Sequence, residues 1–477
     1  MKHSEMPRES TIPKFTLHKK IYKDCIFRNF LACLALVLSA LFLHTARGVK
    51  QTEAVGVGVT AFELKDSKER VDQNHKDYVS NSAVTNEDCW LLDYVDYHNR
   101  ERKRLEQREE VKALVYICHY NCGGLGDRVS GIVSAFYAAV AMRRLFIIDS
   151  SYPVPLNLTL RPTDSLNWDI KKFLPADTLK WNIMHIFRRR KAVTINGSNS
   201  HNQQARVLNS LFAAHKSGVS VIFFRINRLH VGMNLWKHSS ATTRNSNMPE
   251  GHLARLRDVW CCKLRPCAEL RPSTLMKVAF NTLFTFSPQV LDRAFIMFND
   301  LGLVSQEHGA MKNFVAIHAR IGGQTKNLNS WYDPKRHSLD DMPEFLKCAH
   351  TLIANYSELR ASDRINSPNI VVFSDSAEFR KRIVELDTTV KHTENTTIMH
   401  VDRSVIADRK TLESGVVDTY AELYVLSRAT CIVGSKSTFS GVASSIFTPM
   451  SQSQRCYSYF KYCQDTTFDF WLSEGLK

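Results

Sequence analysis

The sequence has no zinc-finger spacing, no aromatic signature of an RNA-binding domain and no basic zipper. These absences matter because the net charge is +16, and such an excess of basic residues predicts an anionic partner. Without a nucleic-acid motif, an anionic membrane or a phosphorylated ligand is favoured over DNA or RNA. Internal repeats and low-complexity tracts are also missing, and 44% of the residues are hydrophobic. This is a globular composition, and 477 residues suit two domains with appendages.

Two further absences concern metals. No CxxC pair is present, and no Asp-x-Asp triplet follows residue 43, so a divalent ion bridging a diphosphate is less necessary and basic residues would supply that charge. The clusters CHYNC at 118–122 and CCKLRPC at 261–267 admit metal ligands or disulfides, and the missing CxxC pairs favour disulfides. In an oxidising compartment, up to five disulfides are permitted by ten cysteines: Cys89, Cys118, Cys122, Cys261, Cys262, Cys267, Cys348, Cys431, Cys456 and Cys463.

Long apolar runs are scarce, and the one clean run is FLACLALVLSALFL at 30–43. A cleaved signal peptide is one interpretation, but the 29 preceding residues exceed an ordinary n-region. Their excess of Lys and Arg predicts a cytosolic tail at 1–29 and a single-pass type II anchor at 30–43. Such a short span suits the thinner membranes of the early secretory pathway. We therefore expect a lumenal body in the Golgi, with the endoplasmic reticulum as the alternative.

The polar segment 44–110 is predicted to be a stem. The charged stretch 97–112, which overlaps the end of this stem, is typical of a solvated helix. If the body is lumenal, four Asn-x-Ser/Thr triplets are glycosylation acceptors, at Asn157, Asn196, Asn355 and Asn395.

Two stretches of alternating strands and helices follow. In the first, 113–117 and 145–148 read as strands around a glycine turn and a helix from Val129, and another strand is expected at 219–226. In the second, strands are expected at 314–318, 370–373, 398–401 and 431–433, and helices at 377–385, 413–428 and 438–446. We predict an α/β protein with two Rossmann-like domains facing a cleft, at 111–285 and 286–477, joined around 284–295.

In such sheets ligands bind at the carboxyl ends of strands, and four of these ends bear glycine or polar residues. Each end has a binding and a purely structural interpretation. The loop 123–128 suits a phosphate or a tight turn, and 318–323 suits a diphosphate clamp or a structural arginine. Asp375 could accept hydrogen bonds from a ribose or a guanine edge, or it could cap the next helix. The segment 434–441 could bind a phosphate or act as an ordinary helix cap.

Three segments in this order resemble the motifs of the GDP-fucose-dependent fucosyltransferase superfamily, which includes α-1,2-, α-1,6- and protein O-fucosyltransferases. They are HARIGG at 318–323, FSDSAEF at 373–379 and DTYAELYVLSRATCIVGSKSTFSGVASSIF at 418–447. The segment GGLGDRVSGIVSAFYAAVAMRRLFIID at 123–149 resembles the first-domain glycine loop and helix of the same superfamily. The resemblance implies a GT-B architecture, an inverting reaction and no metal cofactor.

The resemblance also implies roles for single residues. Arg320 would hold the β-phosphate of GDP-fucose and neutralise the departing GDP, and His318 would contact the nucleotide. The resemblance thus implies Arg320 and His318 as catalytic residues. Asp375 would bind the guanosine, while Ser437 and Thr438 would reach the diphosphate. The remaining implied donor-binding residues are Gly124, Gly126, Arg128 and Gly322.

No general base is assigned, because Ile321 and Gly323 stand where several relatives have a second arginine and an acid. Lys326, Asp333, Asp340 and Asp341 lie downstream as alternatives. The expected function is transfer of fucose from GDP-fucose to a glycan or glycoprotein by a membrane-anchored glycosyltransferase. The alternatives are a protein O-fucosyltransferase and a non-catalytic glycan-binding protein that retains the fold.

Overall fold

In a computed structural model, the chain divides into two compact units, 1–69 and 70–477. The structure describes residues 89–107, 109–119, 122–169, 191–196, 207, 210–211, 213–225, 272–305, 311–322, 335–355, 369–393, 408–435, 437–446, 456–461 and 463, all in the second unit. The predicted tail, the anchor at 30–43 and most of the stem lie outside these residues. Within the described part, no helix is long and apolar enough to cross a membrane.

The first half contains a parallel four-stranded sheet of order β2-β1-β5-β4. Its elements are helix α1 (Cys89–Glu106), β1 (Ala113–Cys118), α2 (Leu125–Met142), β2 (Leu145–Ser150), β3 (Leu160–Pro162), β4 (Ala192–Asn196) and β5 (Val221–Arg225). The predicted strands at 113–117, 145–148 and 219–226 are confirmed. The helix expected from Val129 begins one turn earlier, because Gly124 has extended backbone angles and serves as its N-cap.

Helix α1 corrects the predicted stem at 44–110, because residues 89–106 belong to the folded body. Tyr94, Tyr97 and His98 are buried on one face of α1. The Tyr94 hydroxyl donates to the carbonyl of Arg144 at 2.8 Å, and the Tyr97 hydroxyl donates to that of Arg143 at 2.6 Å. The sequence did not predict this buried face, because its few aromatic residues stand at helical spacing among many charged residues.

The second half contains a parallel five-stranded sheet of order β11-β10-β7-β8-β9. Two connecting helices and a short strand lead into it: α3 (Pro272–Leu283), β6 (Phe284–Phe286) and α4 (Pro288–Asp300). The rest are β7 (Phe314–Ala319), α5 (Met342–Asn355), β8 (Asn369–Ser374), α6 (Ala377–Leu386), β9 (Val390–His392), α7 (Arg409–Ser427), β10 (Cys431–Gly434), α8 (Thr438–Ile446) and β11 (Cys456–Tyr459).

The three predicted helices and the strands at 314–318, 370–373 and 431–433 are confirmed, whereas the strand expected at 398–401 lies outside the described residues. Strands β9 and β11 were not predicted, because each is short and lacks a clear alternating pattern.

The two halves share one hydrophobic core. A single buried cluster includes Phe146 of the first sheet, Val290 of α4, Leu423 of α7 and Phe314 of β7. The connector predicted around 284–295 is β6 followed by α4. Arg293 of α4 pairs with Asp418 of α7 at 2.6 Å. The fold is thus mixed α/β with two parallel sheets, and the domain boundary at 285/286 stays a prediction.

The described residues contain three disulfides: Cys118–Cys122, Cys348–Cys463 and Cys431–Cys456. CHYNC is therefore a disulfide loop in this structure, and the last pair joins the neighbouring strands β10 and β11. Three of the four predicted glycosylation asparagines, Asn157, Asn196 and Asn355, are described and exposed, and their modification stays a prediction.

Arg144 is fully buried beside the amino-terminal edge of the first sheet. Its guanidinium donates to the carbonyls of Ala113, Ser220 and Val219 at 3.3, 3.2 and 2.8 Å. We expect Arg144→Met to lower the free energy of unfolding by about 2–4 kcal/mol, because buried carbonyls lose their donors. Urea denaturation measures this. The matched control is Arg143→Met, which removes an exposed ion pair with Asp93 and should cost at most about 1 kcal/mol. Equal losses in both variants would contradict the prediction.

Candidate active site

The carboxyl edge of the second sheet brings three of the predicted strand ends together. Strands β10, β7 and β8 are neighbours in that order, so the residues that follow them must meet at one edge. Arg320 follows β7, Asp375 follows β8 and Ser435 follows β10. The sequence places each residue at a strand end, whereas the strand order decides that Arg320 lies between the other two.

Arg320 is held from both sides at this edge. Its Nη1 donates to Oδ2 of Asp375 at 2.6 Å, and its backbone N–H donates to the Ser435 hydroxyl at 2.8 Å. The backbone N–H groups of Ile321 and Gly322 donate to the same carboxylate at 2.7 and 3.0 Å. Gly322 has φ +73°, a conformation that favours glycine and lets the chain fold back over Asp375. We call the five residues Arg320, Ile321, Gly322, Asp375 and Ser435 the arginine corner.

Asp375 therefore anchors Arg320, and the cap of the following helix is Ser376. The Ser376 hydroxyl accepts the backbone N–H of Phe379 at 3.2 Å. The Asp375 carboxylate already accepts from three donors, and its side chain is 11% exposed. The sequence predicts a ligand contact or a cap at this position, but not the pairing with Arg320, because the two partners lie 55 residues apart.

His318 is buried beside the arginine corner and stacks on Phe439 of α8, with ring centroids 5.1 Å apart. Among the described residues, its Nδ1 has no hydrogen-bond partner. Burial, reinforced by the positive charge of Arg320, lowers the pKa of His318 from 6.5 to about 3. The imidazole is therefore neutral at neutral pH, which suits packing and hydrogen bonding rather than proton transfer.

Acid should destabilise the fold through His318 and His98. Burial lowers their pKa values to about 3 and about 4, so between these values and 6.5 the unfolded chain binds more protons than the folded chain. The stability contribution is complete above pH 6.5 and is lost as the pH falls towards 3–4. In urea denaturation from pH 7 to pH 4, His318→Asn and His98→Asn should each show a shallower decline than the wild type. Parallel curves would contradict the assignment.

The glycine loop of the first half packs against the start of α8. A Cβ on Gly126 would lie 2.5 Å from the backbone nitrogen of Phe439 and from the carbonyl carbon of Thr438. The Thr438 hydroxyl donates to Oδ1 of Asp127 at 2.9 Å. Gly124 is the N-cap of α2 and is partly exposed. The loop thus joins the carboxyl edges of the two sheets, and its close fit requires glycine at Gly126.

The remaining predicted site residues differ in how far solvent can reach them. Arg128 is 3% exposed and donates to the carbonyl of Tyr152, so its guanidinium is buried within the body. The Ser437 hydroxyl accepts the backbone N–H of Phe439 at 3.3 Å and caps α8. Ser437 stays partly exposed and Thr438 exposed, so both hydroxyls can still be approached from solvent.

No family model and no curated protein matches the chain. It is similar to the solved structure of a FUT1 mutant from Arabidopsis thaliana in complex with GDP, at 16% identity, 77% coverage of each chain and a TM-score of 0.46. Fucosyltransferase NodZ from Bradyrhizobium matches at 12% identity, over 70% of this chain and 93% of NodZ, with a TM-score of 0.37. POFUT1 in complex with GDP-fucose matches at 12% identity, over 74% of this chain and 98% of POFUT1, with a TM-score of 0.34.

These similar structures are fucosyltransferases. Their TM-scores are under 0.5 and their identities are under 25%. An activity for this chain must therefore be argued from its own residues.

The downstream acids considered as general bases have capping roles. Oδ2 of Asp341 accepts the backbone N–H of Ser338 at 2.9 Å, and Oδ2 of Asp340 accepts the Ser338 hydroxyl at 2.8 Å. Lys326, Asp333 and Gly323 lie outside the described residues. Within the described part, no group of three or more His, Cys, Asp and Glu residues could hold a metal ion.

Proposed function

We propose that this protein transfers fucose from GDP-fucose to a hydroxyl of a glycan, with inversion and without a metal. The main support is the arginine corner, in which Asp375 and Ser435 hold Arg320 at the carboxyl edge between adjacent strands. A guanidinium fixed there can bind a diphosphate through charge-assisted hydrogen bonds. The sequence motifs that contain Arg320, Asp375 and Ser435 support fucose over other sugars, because they resemble those of GDP-fucose-dependent enzymes.

In the proposed reaction, the acceptor hydroxyl attacks C1 of fucose while the bond from C1 to the β-phosphate oxygen breaks. Arg320 donates to the β-phosphate as its charge develops, and this stabilisation needs little reorganisation because Asp375 holds the guanidinium in advance. Partly exposed Ser437 and Thr438, at the start of α8, would meet the diphosphate beside the helix N-terminus. The neutral, buried His318 would line the nucleotide side.

We also propose a type II anchor at 30–43 and a Golgi location, supported by the basic tail and the glycosylation triplets. In this arrangement the body faces the lumen, where GDP-sugars and glycoproteins meet.

The test uses the full-length chain in detergent, supplied with GDP-fucose in the presence of EDTA. We expect GDP release on a glycan array above the acceptor-free blank, and no release from GDP-mannose. GDP at about 100 times its dissociation constant should stabilise the fold by about 2.7 kcal/mol. If GDP is released only when a folded protein domain is the acceptor, the protein is a protein O-fucosyltransferase and not a glycan-modifying enzyme. Binding of GDP-fucose without turnover would support a non-catalytic binding protein.

A further inference from the structure

A second polar pair lies at the carboxyl edge of the first sheet, outside the arginine corner. His119 directly follows β1, and Asp149 lies near the end of β2, which is the neighbouring strand. Nε2 of His119 is 2.7 Å from Oδ2 of Asp149. The Asp149 side chain is 5% exposed and that of His119 is 26% exposed. The carboxylate is thus buried in the edge, whereas the imidazole can be reached from solvent.

The hydrogen bond sets the state of the imidazole. A carboxylate only accepts hydrogen bonds, so Nε2 donates the hydrogen and Nδ1 of neutral His119 keeps its lone pair. A buried acid that orients an accessible imidazole is the arrangement of an activated base. The Cys118–Cys122 disulfide closes a short loop that contains His119.

The pair is linked to the arginine corner along the chain and through one hydrogen bond. The disulfide loop leads directly into the glycine loop, where Asp127 accepts from the Thr438 hydroxyl at 2.9 Å. Thr438 begins α8, three residues after Ser435, which accepts the backbone N–H of Arg320. His119 and Arg320 therefore occupy the two carboxyl edges that the glycine loop joins. We infer that the sugar of a donor bound at Arg320 lies between those edges.

We propose that His119 is the general base of the proposed transferase and that Asp149 is its positioning residue; the inference rests on the proposed function. Nδ1 of His119 takes the proton of the acceptor hydroxyl as its oxygen bonds to C1 of fucose. The bond from C1 to the β-phosphate oxygen breaks, and its electron pair leaves with GDP. Asp149 stabilises the imidazolium, which then releases the proton to water.

Other bases considered fit this role less well. His318 is 7% exposed and packed under Phe439, and its low pKa makes it a poor proton acceptor at neutral pH. Asp340 and Asp341 hold the start of the helix that leads into α5. His337 lies 3.7 Å from Asp341, but its side chain is only 7% exposed. His119 combines a hydrogen-bonded carboxylate partner with a side chain that is 26% exposed at a carboxyl edge.

The test measures GDP release from saturating GDP-fucose by the full-length chain, with glycan and with water as acceptors. His119→Gln should lower the rate by about 10²–10⁴-fold, the usual contribution of a general base. Asp149→Asn should lower it in the same direction. Stabilisation by GDP alone should stay unchanged in both variants, because neither residue binds the nucleotide. Imidazole in the buffer should restore part of the activity of His119→Gly, which a purely structural role would not allow.

The matched control is His350→Gln. His350 also has its Nε2 2.7 Å from a carboxylate oxygen, that of Asp387, but this pair joins α5 to the end of α6, away from the carboxyl edge. Its activity should equal that of the wild type. A His119→Gln rate within about threefold of the wild type would overturn the inference. Wild-type protein that GDP stabilises but that releases no GDP would also overturn it. A wild type that GDP does not stabilise would refute the proposed donor itself.

Discussion

Replacing Arg320 by lysine is expected to lower GDP release from GDP-fucose by about 10²–10³-fold, the effect of removing one preorganised donor from a developing anion. Lysine keeps the positive charge but has no planar fork, so it cannot pair with Asp375 and face a phosphate in the same geometry. The rate constant at saturating donor should fall, because Arg320 acts on the charge that develops during bond cleavage.

Two variants make this result interpretable. Arg382→Lys changes the same residue type on the exposed face of α6, where Arg382 pairs with Glu378, and should leave turnover unchanged. Asp375→Asn keeps the side-chain shape but removes the charge that holds Arg320, and its amide cannot accept from all three donors. Turnover should therefore fall in Asp375→Asn as well. A fully active Arg320→Lys enzyme would remove the arginine corner from the mechanism.

Replacing Gly126 by alanine is expected to destabilise the protein by about 1–3 kcal/mol and to lower turnover at the same time. The added methyl would lie 2.5 Å from backbone atoms of Thr438 and Phe439, so α2 or α8 must move. These are backbone atoms, which cannot relieve the clash by a change of rotamer as a flexible side chain can. Any shift of α8 also displaces Ser437 and the Phe439 ring that covers His318. Thermal unfolding and GDP release from the same preparation measure both effects.

The control for this variant is Gly218→Ala. Gly218 has φ +67° and no atom within 4 Å of an added Cβ, so alanine meets backbone strain but no clash. It precedes β5, at the amino-terminal edge of the first sheet, opposite the carboxyl edge. A loss of about 1 kcal/mol with unchanged turnover is expected. If Gly126→Ala behaves in the same way, the contact between the glycine loop and α8 has no bearing on the site.

Much of the site could be predicted because ligands of parallel sheets bind at carboxyl edges. This rule directed attention to 318–323, Asp375 and 434–441, and the structure brings these strand ends together. The rule does not say which partner each side chain chooses. Asp375 is predicted to meet a ligand or to cap a helix, and its pairing with Arg320 could not be predicted from the local sequence. His119 was passed over because it lies inside CHYNC, where the cysteines drew attention to metals and disulfides.

Local sequence patterns are sufficient to predict the alternation of strands and helices, the polar ends of those strands and the glycines of the first loop. These features are local, since side-chain periodicity and turn chemistry depend on residues a few positions apart. Tertiary packing is needed to establish the strand order, the disulfide pairs and the burial of α1, and it pairs Arg320 with Asp375 and His119 with Asp149. The partners in each of these two side-chain pairs lie tens of residues apart along the chain. Their meeting depends on how whole sheets and helices pack, which no short stretch of sequence encodes.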